Sequence, residues 1–171
     1  MSGGWRRYGW LVALVLGLLA GQGRAQETLM VRTAQPFEAT MGVLQQTLAE
    51  YGYAVAHVQR CDGGMADFGY KSDFYRVVFF GKLGEVRDLS ARHPELIPYL
   101  PLKILLFAEQ DETVLVALNP LALAERYEAR ELQVQFLRWH SDISAILQEV
   151  RSFQPPHQKR AEGRGPRAEV D

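Results

Sequence analysis

The sequence predicts an α+β fold: a mainly antiparallel five-stranded sheet with two long helices on one face, in the order β-α-β-β-(α)-β-β-α. Three observations carry that expectation. Phe37 to Tyr51 and Leu132 to Phe153 repeat apolar residues at spacings of three and four, the period of a helix buried along one stripe. Five short runs are rich in β-branched and aromatic residues, with glycine, proline and aspartate clusters between them. Two single-faced helices need a common apolar surface, and one face of an antiparallel sheet supplies it.

Leu29 to Ala34 reads as the first strand. Pro36 takes a first-turn position, where its missing N–H would have no helical partner anyway. Phe37, Met41, Leu44, Leu48 and Tyr51 form the apolar face of the first helix, and Gly52 offers its C-terminal cap. Tyr53 to Gln59 is the second strand. Cys61-Asp62-Gly63-Gly64 breaks it, and the chain to Asp73 reads as a loop. Phe74 to Lys82 is the third strand, apolar on both faces. Leu83, Val86, Leu89 and His93 place a short linking helix over Leu83 to Ile97, and Pro94, Pro98 and Pro101 predict a stiff, extended crossing.

Leu102 to Glu109 and Thr113 to Leu118 are the fourth and fifth strands, joined tightly through Gln110, Asp111 and Glu112. Asn119-Pro120 ends the pairing. Leu132, Phe136, Trp139, Ile143, Ile146 or Leu147, Val150 and Phe153 trace the last helix. From Gln154 to Asp171, prolines, glycines and mixed charges predict a disordered tail, so a single globular domain is expected over residues 29–153.

Residues 1–25 read as a secretory signal. Arg6 and Arg7 precede the apolar run Trp10 to Ala20, and small residues at Gly23 and Ala25 predict cleavage between Ala25 and Gln26. That run is about half of the roughly 20 apolar residues that a membrane span needs. The expectation is an exported, periplasmic protein with no stable span after cleavage. Lys+Arg 19 against Asp+Glu 20 gives a net charge of −1, and three of those basic residues lie in the signal. The processed chain is therefore acidic, which argues against nucleic acid as a partner. One cysteine excludes an internal disulfide and any site built from cysteines alone.

The run Pro36-Phe37-Glu38-Ala39-Thr40, with Leu44, Leu48 and Tyr51-Gly52-Tyr53-Ala54-Val55, resembles the opening helix and strand of the domain of unknown function 302 family. Pro94-Glu95-Leu96-Ile97, Leu100-Pro101-Leu102-Lys103-Ile104 and the strand end at Asn119-Pro120 are similar to its later part. The resemblance spans about Leu29 to Arg151. It implies a TATA-box-binding-protein-like fold of order β-α-β(4)-α, carries no DNA binding, and brings no catalytic residues. The long loop from Cys61 to Asp73 departs from the family's compact members.

No nucleophile elbow, zinc-protease helix or phosphate-cradling loop is present, so no catalytic constellation and no cofactor are expected. His57 and Cys61, four apart on a strand, would point to one side, and an imidazole beside a thiol suits a soft metal, haem or thiol redox chemistry. The strand's end near Gln59 spoils that geometry. Asp62, Asp67 and Asp73 fit no EF-hand spacing and read as turn formers. Lys103, Leu105, Phe107 and Glu109 alternate against Leu102, Ile104, Leu106 and Ala108, so both sheet faces carry apolar side chains and something must cover the second. A pocket between sheet and last helix would use Tyr75, Arg76, Phe79, Lys103, Phe107 and Trp139, with Tyr75, Arg76 and Lys103 orienting a ligand. The expected role is a non-catalytic binding or accessory module. Its partner is a small apolar ligand, an envelope protein or a second copy in a homodimer, and the metal or redox role of His57 and Cys61 is the alternative.

Overall fold

The computed structural model describes residues 26–61, 69 and 74–154. The signal expected over 1–25, the loop aspartates Asp62, Asp67 and Asp73, and all but the first residue of the expected tail lie outside the described residues. Ten elements follow in order: β1 (Thr28–Thr33), α1 (Phe37–Glu50), β2 (Ala54–Arg60), β3 (Tyr75–Gly81), α2 (Leu83–Arg92), a 3-10 helix (Pro94–Tyr99), β4 (Leu102–Glu109), β5 (Glu112–Leu118), α3 (Leu121–Ala124) and α4 (Arg130–Ser152). The strands form one sheet in the order β1-β5-β4-β3-β2, antiparallel at every pairing. The α+β architecture read from the sequence is the one the chain adopts.

Each long helix forms for a local reason. In α1, Phe37, Met41, Leu44 and Leu48 fall on one stripe and are buried. It ends where Gly52 takes φ +75, with Gly52 N–H donating to Ala49 O and Tyr53 N–H to Leu48 O, both at 2.9 Å. That pair of bonds closes a Schellman cap and turns the chain into β2. In α4, Leu132, Phe136, Trp139, Ile143, Ile146, Leu147 and Val150 are buried. Phe153, expected on the same stripe, instead falls past the helix end and is 41% exposed. Both stripes pack on Val31, Leu115, Ala117, Ile104, Leu106, Val78 and Phe80, which project from one face of the sheet.

Two connections differ from expectation. The linking helix stops at Arg92 rather than Ile97, because Pro94 pushes His93 out of the helical region to φ −132, ψ 70. The proline-rich stretch is then a 3-10 helix, not an extended crossing. Its bonds from Leu96 N–H to His93 O at 3.0 Å and from Leu100 N–H to Ile97 O at 3.2 Å use donors that the prolines leave in place, and fully buried Leu96 anchors it. The turn between β4 and β5 is also tighter than expected: Glu109 pairs with Glu112, leaving Gln110 (φ 55) and Asp111 as a two-residue loop.

The four-residue α3 has no counterpart in the expected element order. Buried Asn119 organises it, its Oδ1 accepting from Leu121 N–H at 3.1 Å while its amide donates to Gln26 O at 2.6 Å. His140 Nδ1 lies 2.8 Å from the same Oδ1 and ties this corner to α4.

Candidate functional site

Side-chain alternation assigns every strand residue to one of two faces. One register row of the open face runs Met30, Val116, Leu105, Val77, Gln59, and the next runs Arg32, Val114, Phe107, Tyr75. Lys103, Phe79 and His57 continue it toward the start of β4. Neither long helix covers this face. Met30 is 51% and Leu118 43% exposed, and Leu105, Phe107 and Phe79 are half-buried, whereas Ile104 and Leu106 on the same strand are fully buried. Tyr75 meets Phe107 edge to face at 6.4 Å. Arg32 forms ion pairs with Glu109 and Glu112 at the hairpin end.

A cleft of ≈ 170 Å³ opens at the opposite end, where β4 begins and β5 finishes. Leu105, Leu118 and Lys103 reach it from the open face, and Leu102, Trp139 and Ile143 from the core. The 3-10 helix closes one side with Pro98 and Tyr99, and the corner at α3 closes the other with Pro120 and Leu123. Lys103 Nζ donates to Pro98 O at 3.3 Å and lies 5.8 Å from the Phe79 ring centroid.

A polar cluster fixes the rear wall. Trp139 Nε1–H donates to Glu85 Oε1 at 2.8 Å, which locks the indole orientation. Glu85 also pairs with Arg138, Arg138 reaches Asp142 at 3.3 Å, and Tyr53 O–H donates to Asp142 Oδ2 at 2.6 Å. Burial, then the bond to Asp142, holds the Tyr53 phenol far above its ordinary range. Lys82 Nζ sits 4.7 Å over the Tyr53 ring. Two elements, α2 and α4, and Tyr53 just ahead of β2 are thus tied behind the cleft.

The family model for the domain of unknown function DUF302 matches residues 29–150. This chain belongs to that family. The crystal structure of an uncharacterized conserved DUF302 protein from Bacillus stearothermophilus is similar to it, with a TM-score of 0.65 at 16% identity, covering 74% of this chain and 100% of that one. At that identity the likeness is one of fold. No curated protein matches. No helix among the described residues of this DUF302 domain is long and apolar enough to cross a membrane.

The six residues expected to hold a ligand do not form one pocket. Lys103 and Trp139 line the cleft of the DUF302 domain. Tyr75, Phe79 and Phe107 lie along the open face instead. Arg76 lies on the other face, in register with Leu106, with its guanidinium 5.6 Å over the Phe37 ring. The space between sheet and α4, where the pocket was expected, is packed with core side chains. The sequence reading missed Leu118, Pro120, Pro98 and Tyr99. The signal for them was present in the prolines that flank β4 and end β5, which stop the chain where a cleft wall can stand.

His57 lies in β2, and Cys61 directly follows the strand's last residue, Arg60. His57 pairs with Phe79 across a bulge, its Nε2 3.1 Å from Gln59 Oε1, and Cys61 N–H donates to Tyr75 O at 3.1 Å. Four strand residues span about 13 Å, too far for an imidazole and a thiolate to share one ion at bond lengths of about 2.0–2.3 Å. Among the described residues no group of three His, Cys, Asp or Glu side chains converges. The third histidine neighbourhood is an ion cluster: His93 Nε2 lies 2.5 Å from Glu131 and its Nδ1 3.1 Å from Glu95, and Arg92 pairs with Glu131 as well. The bond to Glu131 and then that to Glu95 raise the imidazole's pKa.

Proposed function

We propose that this DUF302 domain is a non-catalytic binding module of an exported protein and takes a small apolar ligand in the cleft at the end of its sheet. The observation that carries the proposal is the cleft: ≈ 170 Å³, walled by leucine, isoleucine, proline and aromatic side chains. An apolar cavity of about 150 Å³ accepts benzene, so this one has room for a single ring or a short branched chain. Among the described residues its lining holds no histidine, cysteine or carboxylate, and Lys103 is its one charged side chain, so a ligand there meets mostly packing surface.

Burying about 150–250 Å² of ligand surface at 25 cal/mol/Å² gives roughly 4–6 kcal/mol, which corresponds to dissociation constants from about 1 mM to tens of micromolar. A ligand of that size belongs to reversible capture rather than permanent retention. Export rests on the basic start, the apolar run and the small residues before Gln26.

Native mass spectrometry of the protein purified gently from an exporting host tests both parts. The expected species begins at Gln26 and, with an excess of a single-ring compound added, carries an organic adduct that is lost on denaturation. A chain that retains residues 1–25 would overturn export. A chain left bare by an excess of single-ring compounds would overturn ligand capture, and twice the chain mass without an adduct would assign the open face to a second copy.

A further inference from the structure

We infer that the ligand of this cleft is a small apolar monocarboxylate, with its ring or branched chain between Leu105, Leu118 and Trp139 and its carboxylate on Lys103. The inference rests on the cleft being a ligand site at all, and names the chemistry that site selects.

Among the described residues that line the cleft, Lys103 is the only charged one. Its ammonium carries three N–H donors. Among the described residues they make one hydrogen bond, at 3.3 Å to Pro98 O. Among the described residues no carboxylate stands within ion-pair distance of Lys103, whereas Arg32, Arg92 and Arg138 are each matched with acids. Phe79 supports the side chain, with Nζ 5.8 Å from its ring centroid, so the ammonium is held at the cleft rather than trailing in solvent. A cation at the rim of an apolar pocket stabilises an anion whose remainder is apolar.

The charge count narrows the class. One ammonium balances one negative charge, and a phosphate dianion would leave a second charge uncompensated against leucine and proline surface. An amine would meet like charge. The Trp139 N–H is already given to Glu85, so it does not compete for the carboxylate.

Trp5 and Trp10 lie in residues 1–25, so a chain from Gln26 to Asp171 has Trp139 as its single tryptophan, and its fluorescence reports on the cleft wall. The described fold lies wholly within that chain. Toluene, benzoate and benzylammonium are titrated as ring compounds of similar size and different charge. Benzoate is expected to bind about tenfold more tightly than toluene, the size of one charge-assisted bond, with benzylammonium weakest. Added salt should weaken benzoate and leave toluene unchanged. Lys103→Met, which keeps the stem, should remove the benzoate preference without changing toluene binding, and Lys103→Arg should retain it. Equal binding of toluene and benzoate by the wild type, or a benzoate preference that survives in Lys103→Met, would overturn the carboxylate inference and leave the cleft as a site for neutral ligands. Silence from all three probes would overturn the cleft as a ligand site.

Discussion

The two faces of the sheet share strands but not fates. On β4, Leu102, Ile104 and Leu106 are buried under α1 and α4, while their alternates Lys103, Leu105 and Phe107 stand half-exposed on the other side. Both sets are largely apolar, so strand composition alone does not say which face becomes the core. The helices decide it, because each has only one apolar stripe to spend. What remains on the other face is apolar surface with a charged border, and at one end two short helical segments fold over its rim to make a cleft.

Substitutions measure that difference. Phe136 is fully buried in the covered core, and Phe136→Ala should cost about 3–5 kcal/mol in urea unfolding. A loss below about 1 kcal/mol would mean that the covered face is not the stabilising one. Asp142→Ala removes the acceptor of Tyr53 and a partner of Arg138 and should cost about 1–3 kcal/mol. It should also shift Trp139 emission, since Arg138 shares Glu85 with the indole; unchanged emission would separate the cluster from the cleft wall. Gly52→Ala places a side chain at φ +75 and should cost about 1–2 kcal/mol, read as a lowered Tm. An added Cβ would meet only Lys82 Cε at 3.8 Å and Nζ at 3.9 Å, ordinary contact distances, which excludes a steric clash as the cause.

The His93 cluster gives a pH signature instead of a large energy. Its imidazole pKa is raised above the ordinary 6.5 by Glu131 and Glu95, so its contribution is present below that value and fades as pH rises through the raised one. Glu131 and Glu95 have lowered values, by the imidazole bond and by Glu95's own backbone bond respectively, so their share is lost on acidification. The Tm difference between wild type and His93→Gln should therefore shrink as pH climbs above neutrality; a difference that is flat with pH would show that the cluster does not titrate. The smallest effect belongs to the open face. Met30→Ala, at an edge strand and 51% exposed, should stay within about 0.5 kcal/mol, and a larger loss would reveal that something packs there.

Those contrasts show what was legible in the chain. Periodicity exposed α1, α4 and the alternation on β4, because burial imposes a regular spacing on side chains. Gly52 declared its turn by type. The 3-10 helix is not legible in the same way, because prolines restrict φ in helical and extended chain alike and only the buried Leu96 tips the balance. The cleft is hard to read from the chain for a related reason. Its walls come from Pro98, Leu118, Leu123 and Ile143, distant in sequence and unremarkable singly, and only the pairing register and the corner at Asn119 bring them together. Tyr75, Phe79, Lys103 and Phe107 fall on the face away from the last helix, while Arg76 is on the helix-covered face; β3 is apolar or aromatic on both sides and gives no facing signal.

The most direct measurement is a methyl and indole NMR titration of the Gln26–Asp171 chain with benzoate. Shifts should concentrate at Leu105, Leu118, Leu123, Ile143 and the Trp139 indole and saturate, while the Met30 methyl across the open face stays fixed. Absent shifts at millimolar benzoate, or shifts centred on Met30 and Val116 instead, would contradict a ligand site at the end of the sheet.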